Sequence, residues 1–327
     1  MNEIKLGIIG TNFVSDWLCE SVDLTDGISN HAVYSRTAEK GGEFAKKHGI
    51  GIVYTDMEEF LSSDIDAVYI ASPNFLHYPY AKNALEHKKH VLLEKPAALN
   101  FAQFEELERI AAENGVILIE AMRPGHDPAV DTVREAMKEI GTIRRAVFDF
   151  CQYSSRYDRF RAGEILNAFN PDLGNGALMD IGCYALHVCV MLLGKPKSVY
   201  AKSVKLSNGV EGLGSVFLDY GTMIAEVVYS KITESYNPSV ITGEDGDVLI
   251  GKLSMMESVA VHRRGEDRKI LLDNREGSNM VYETEDFVKL IRGEIKPDVF
   301  SENTRITLGI MDEIRRQNGI VFPNEGI

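Results

Sequence analysis

The feature that most constrains this chain is an alternation running from residue 4 to residue 119, in which short apolar runs of strand length are separated by amphipathic stretches of helical period. Strands joined through helices pair in parallel and are covered on both faces, so this part of the chain reads as a doubly wound α/β sheet. The strands fall at 4–9, 31–34, 67–71, 90–93 and 116–119, with a weaker one at 52–54. Two helix starts between them carry capping signals, Thr55 ahead of Glu58 and Asn100 ahead of Gln103.

Beyond Arg123 the pattern changes. A helix around 128–139, a strand over 143–151 and a helix over about 177–193 come first. Six β segments follow with no helix between them, at 197–206, 212–219, 222–231, 239–242, 247–250 and 258–263. Such a run with tight glycine turns predicts an antiparallel or mixed sheet. Helices near 282–291 and 302–317 close the chain. At 327 residues and 44% hydrophobic, the chain is long enough for two separate cores. The expectation is therefore an α/β protein with a dinucleotide-binding domain over 1–122 and an α+β domain over 123–300, the latter carrying a large, mostly antiparallel open sheet. The last helix, about 301–320, is expected to pack back on the first domain.

With 35 basic against 49 acidic residues the net charge is −14, which repels nucleic acid and anionic membrane alike. The N-terminus lacks the segments of a signal peptide, and no stretch reads as the roughly 20 apolar residues of a membrane helix, so a cytoplasmic protein is expected. Cys19, Cys151, Cys183 and Cys189 contain no CxxC pair, and no metal site or redox pair is expected.

The first strand runs into Gly7-Ile8-Ile9-Gly10-Thr11-Asn12-Phe13-Val14-Ser15. A tight turn between an apolar strand and a helix start presents free N–H groups and a positive helix end to a dinucleotide pyrophosphate, here from Gly10, Thr11, Asn12, Phe13 and Val14. Asn12 stands where a second glycine is usual; because Asn tolerates φ > 0, the turn is expected to survive. The second strand ends in Tyr34-Ser35-Arg36-Thr37. No acid stands there to take a ribose 2′-hydroxyl. Arg36 can grip a phosphate, with Ser35 and Thr37 as donors, which points to NADP rather than NAD. The plain alternative is a ligand-free turn beside a solvated arginine.

Three further segments share one order: Ala71-Ser72-Pro73-Asn74-Phe75-Leu76-His77, then Glu94-Lys95-Pro96, then Gly174-Asn175-Gly176-Ala177-Leu178-Met179-Asp180-Ile181-Gly182-Cys183-Tyr184. Together they resemble the Gfo/Idh/MocA family of glucose-fructose oxidoreductases and inositol dehydrogenases, over nearly the whole chain. The spacing Asp180-x-x-x-Tyr184 is similar to the dihydrodiol dehydrogenase-like branch; the inositol dehydrogenase branch has His in place of Tyr. This resemblance implies a Rossmann domain, nicotinamide-dependent hydride transfer at a secondary alcohol or carbonyl of a sugar, polyol or diol, and a homo-oligomer, dimer or tetramer. It implies that Ser72, Pro73, Asn74, His77 and Glu94 line the cofactor, that Lys95 also borders it, that Lys95 and Tyr184 flank the reacting group, and that Asp180 helps hold them. Asn12 departs from the family pattern, as does Arg123, where relatives often carry an aromatic residue; Arg123 is thereby a candidate substrate residue.

The chemistry of the residues agrees. Lysine supplies a field that favours the phenolate of a neighbouring tyrosine, and the tyrosine moves the proton. At about 100° per residue, Asp180 and Tyr184 lie about 40° apart on a helix, and His187 about 20° to the other side of Asp180. His187 is a second candidate for substrate contact, or else a hydrogen-bonded structural histidine. The same chemistry with NAD(H), and a non-catalytic nicotinamide-binding regulator, stand as alternatives.

Overall fold

The computed structural model describes residues 3–273, 275 and 277–325. Its two compact units divide the chain between Met122 and Arg123.

In the first unit the strands are β1 (Ile4–Ile9), β2 (Ile28–Tyr34), β3 (Ile52–Tyr54), β4 (Ala67–Ile70), β5 (His90–Glu94) and β6 (Leu118–Ala121). Between them run the helices α1 (Phe13–Asp23), α2 (Ala38–Lys47), α3 (Met57–Leu61), α4 (His77–Glu86) and α5 (Phe101–Asn114). Among the described residues the strands form one parallel sheet in the order β3-β2-β1-β4-β5-β6. Every residue of β4 is buried, and β1 and β5 nearly so, as strands covered on both faces must be. The order reverses direction at the β1/β4 junction, where open α/β sheets bind ligands beyond the carboxyl ends.

Caps set the helix starts. Asn100 accepts from the Gln103 amide at 2.9 Å, and the Gln103 side chain accepts from the Leu99 amide at 3.1 Å, a capping box that reaches one residue further back than usual. For α3 the cap is Asp56, which accepts from Glu59 N at 2.9 Å; the sequence signal at Thr55 is thus one residue early.

The second unit opens with α6 (Arg123–His126) and α7 (Ala129–Met137), then β7 (Ile143–Cys151), α8 (Tyr157–Arg161) and α9 (Cys183–Leu193). The meander β8 (Ser198–Lys205), β9 (Glu211–Asp219), β10 (Ile224–Ser230), β11 (Ser239–Gly243), β12 (Gly246–Gly251), β13 (Ser258–Arg263) and β14 (Lys269–Leu272) follows. These strands form a sheet ordered β14-β13-β12-β11-β7-β10-β9-β8, antiparallel except for the β7/β10 pair. Residues 171–193 are apolar enough for a membrane span, mean hydropathy 1.8, contrary to the sequence reading; 78% of that window is buried inside the protein, as for a core helix.

The closing helices α10 (Met280–Ile291) and α11 (Asp298–Asn318) correct the expected division. Residues 278–302 belong to the first unit, where Met280, Phe287, Val288 and Leu290 fill the core that α1 and β1 line. From Asn303 onward, α11 belongs to the second unit. There the Gln317 amide accepts from Ala201 N and donates to Val199 O, each at 2.7 Å, and Asn318 accepts from Ser203 N at 2.8 Å. These side chains pair the outer edge of β8, which would otherwise expose a row of unmatched backbone groups.

Candidate active site

The first unit gathers the carboxyl ends of β1, β2, β4 and β5 along one edge of its parallel sheet. Gly10 has φ +112°, and a Cβ there would lie 2.5 Å from the Ala71 carbonyl oxygen; only glycine lets the turn after β1 lie against the end of β4. Asn12 does not take the positive φ expected of it. Its backbone is extended, φ −100° and ψ 176°, and its Oδ1 caps α1 by accepting from Val14 N at 2.8 Å and Ser15 N at 3.3 Å. Its Nδ2 donates to Ala71 O at 2.8 Å. The residue is thus a cap rather than a glycine substitute. It occupies the Val14 amide, which the sequence reading offers to the pyrophosphate.

At the end of β2, Ser35 is buried and Arg36 and Thr37 are exposed. Thr37 caps α2 through the Lys40 amide, 3.4 Å. Tyr80 lies edge-on to Tyr34 with ring centroids 6.4 Å apart; burial raises its phenol pKa, which the Arg36 charge partly offsets. A guanidinium at the surface, beside aromatic rings and a buried hydroxyl, fits an adenosine 2′-phosphate. The glycine turn, the free amides and Arg36 are a donor set suited to NADP.

The loops after β4 and β5 are tied together by His77. Its Nδ1 lies 2.8 Å from Pro96 O and its Nε2 2.9 Å from Ser72 O. Burial pushes its pKa down to about 4, against the pull of the Pro96 and Ser72 carbonyls, which favour a proton on each ring nitrogen. Glu94, placed by resemblance against the cofactor, is buried; it accepts from the Tyr69 hydroxyl at 2.6 Å and from Lys95 N at 3.2 Å. These contacts fix the backbone that carries Lys95, which is itself half-buried. Ser72, Pro73 and Asn74 lie partly exposed in the loop that His77 anchors.

In the second unit, Asp180 and Tyr184 do not share one regular α-helix. Residues Leu178–Gly182 form a π-helical turn that leads into α9, so the 100° step per residue that separates the two side chains in the sequence reading does not apply. Tyr184 is buried, 6% exposed, with the Phe150 ring edge-on at 5.8 Å. Arg123 reaches it from α6: Nη2 lies 3.5 Å from the phenol oxygen and the guanidinium carbon 5.8 Å from the ring centroid.

Asp180 has a partner that sequence reasoning missed. Lys231, just past β10, directly contacts Asp180 through its ammonium group; its side chain is almost wholly buried, whereas that of Asp180 is one-third exposed. A buried lysine needs such a partner. The available signal was a lone cation ending an apolar strand, the same signal that marks Lys95. Also missed was Glu211, wholly buried on β9. It accepts from Leu178 N at 2.7 Å, which places its carboxyl group at the start of the π turn. A Cβ on Gly176 would lie 2.3 Å from this carboxylate. Burial pushes its pKa up to about 7. His187 is 3% exposed, and a Cβ on Gly125 would lie 3.3 Å from its Nε2. Burial first, then the His126 charge, hold its pKa down to about 3.

Residues 4–122 match the profile of the oxidoreductase family with NAD-binding Rossmann fold, and residues 130–249 match the GFO/IDH/MocA C-terminal domain. The chain belongs to the GFO/IDH/MocA oxidoreductase family. Within it, the chain is 44% identical to scyllo-inositol 2-dehydrogenase (NADP(+)) IolU of Bacillus subtilis, over 98% of both chains. It is 29% identical to trans-1,2-dihydrobenzene-1,2-diol dehydrogenase of Xenopus tropicalis, over 98% of this chain and 99% of that one. A solved 3-ketoreductase from Actinomadura kijaniata, in complex with NADP and TDP-benzene, shares the fold: TM-score 0.87 at 23% identity, covering 97% of this chain and 98% of that one. The protein is thus a nicotinamide-dependent dehydrogenase, as the three ordered motifs imply.

Proposed function

We propose that this protein is an NADP(H)-dependent dehydrogenase that interconverts a secondary hydroxyl of an inositol or related polyol with the corresponding ketone. The observation that carries the reading is the full-length 44% identity to a scyllo-inositol 2-dehydrogenase (NADP(+)); the exposed Arg36 at the end of β2 supports the choice of NADP. Bound NADP(+) supplies the hydride acceptor. Everything else falls to side chains. The turn from Gly10 to Phe13 holds the pyrophosphate, Arg36 the 2′-phosphate, and the His77-anchored loop after β4 completes the cofactor wall. Tyr184 takes the proton of the substrate hydroxyl and returns it in the reverse direction. The Lys95 ammonium favours the alkoxide that develops at that oxygen, and Asp180, held by Lys231, positions the substrate hydroxyls.

We place the protein in the cytoplasm, in keeping with four free thiols, and read it as a homo-oligomer. Across the outer face of the second unit's sheet, Tyr200, Phe217, Glu226, Val147, Val240 and Leu249 stand in register on adjacent strands, apolar but for one acid.

The test is initial-rate measurement with scyllo-inositol, myo-inositol, D-glucose and a trans-diol, each with NADP(+) and with NAD(+). Reduction of NADP(+) in preference to NAD(+), fastest with an inositol, is expected. A preference for NAD(+) removes the cofactor assignment, and turnover confined to the trans-diol removes the polyol.

A further inference from the structure

We propose that Arg123 is the residue that sets the ionisation of Tyr184, acting as a fixed cation against its phenol. The inference rests on the reading of Tyr184 as the proton carrier. It starts from geometry inside one unit: the guanidinium Nη2 stands 3.5 Å from the phenol oxygen, while its Nη1 lies 3.7 Å from the Met255 sulfur. At 3.5 Å the contact is long for a hydrogen bond, but a full charge acts at that range without one. Burial alone holds a phenol neutral, since the low dielectric penalises the phenolate; a cation within 4–6 Å favours it.

Other groups of the same unit near the Tyr184 segment differ from Arg123 in kind. From β7, Tyr184 meets the Phe150 ring. On its own segment Asp180 is engaged by Lys231 from the end of β10, so that the two charges oppose each other. Tyr229 of β10 is fully buried, its phenol pushed well above the usual value by burial. His187 is buried, and burial first, then the His126 charge, disfavour its protonated form. Lysine and arginine also differ in kind. The guanidinium stays charged at every assay pH, whereas an ammonium can lose its charge as the pH approaches 10. Arg123 can therefore supply a constant field where a lysine would supply a titrating one.

The experiment compares wild type, Arg123→Met, Arg123→Lys and Tyr184→Phe in the pH dependence of kcat/KM for scyllo-inositol oxidation by NADP(+). A second readout needs no turnover: the tyrosinate absorbance rise on alkaline titration of cofactor-free protein, with the Tyr184→Phe curve subtracted to isolate that one phenol. Arg123→Met is expected to move the ascending, low-pH limb and the Tyr184 tyrosinate transition upward together, by about one to three pH units, and Arg123→Lys to restore most of the shift. If Arg123→Met raises KM while both transitions stay in place, Arg123 contacts substrate only and the proposal is wrong. A Tyr184→Phe variant that retains the limb shows instead that the base lies elsewhere, which overturns the reading beneath the proposal and is recognised separately. Should Arg123→Met fold poorly, the tyrosinate titration of Arg123→Lys and of Arg123→Gln decides: equal transitions in the two contradict the assignment.

Discussion

At the residue scale, single positions carry separable tasks. Lys95 sits on a backbone fixed by Glu94, Tyr69 and His77, so removing its ammonium should leave the loop in place. Lys95→Ala is expected to lower kcat by at least about 100-fold while the dissociation constant for NADPH, followed by its fluorescence, changes little; near-native turnover would place the active centre elsewhere. Arg36→Ala should raise KM for NADP(+) by ten-fold or more, about the worth of one charge-assisted contact, and leave KM for NAD(+) nearly unchanged. Equal effects on both would assign Arg36 to the surface. These positions were legible in the sequence because each follows an apolar strand, where a charged residue has little structural reason to stand. Lys231 was not, because its significance depends on Asp180, 51 residues away, and no local pattern reports a long-range ion pair. Asn12 was half-legible: as a turn residue it was evident, but its role as a cap appears only once its side chain meets the amides of Val14 and Ser15.

At the element scale, the sequence pattern located every described strand but β14, since apolar periodicity follows burial directly, while α2, α4, α6 and α8 were given no position. What else escaped it are features set by partners. β14 (Lys269–Leu272) has no fully buried residue and pairs only along the sheet edge, so it leaves little hydrophobic signature. The π turn at Leu178–Gly182 is under-wound while Glu211 of β9 holds the amide of its first residue, a contact no helical pattern encodes. Glu211 gives this element a pH dependence. Its folded pKa of about 7 exceeds the unfolded value of 4.5, so between these limits the folded state binds more protons. The stability it confers is full below pH 4.5 and is lost as the pH rises through 7. Glu211→Gln keeps an acceptor for Leu178 N without the charge. Urea unfolding should show the variant gaining on wild type between pH 4.5 and 7.5, by roughly 3 kcal/mol at most. A constant difference across that range would mean Glu211 remains ionised throughout.

At the scale of the whole molecule, the two-domain plan followed from the change in pattern at Arg123, but the destination of the last two helices did not. Amphipathic helices declare that they have a buried face, not which core receives it; α10 fills the first unit and most of α11 serves the edge strand of the second. The outer face of the second unit's sheet is the other large-scale feature. Tyr200, Phe217 and Ile270 on it are 62%, 48% and 62% exposed, and exposed large apolar side chains on one sheet face suit an interface with another chain. Phe217→Glu is expected to shift the protein toward monomer in light scattering coupled to size exclusion, with the fold retained by circular dichroism; an unchanged mass would move the interface elsewhere. The central claim is that Tyr184 carries the proton of a polyol dehydrogenase, and its nearest rival is His187 on the same helix. The direct measurement is the rate of scyllo-inositol oxidation at saturating NADP(+) for wild type, Tyr184→Phe and His187→Gln. Loss of about 10²- to 10⁴-fold in the phenylalanine variant, with much of the rate kept by the glutamine variant, is the predicted result; an active phenylalanine variant beside an inactive glutamine variant would contradict it.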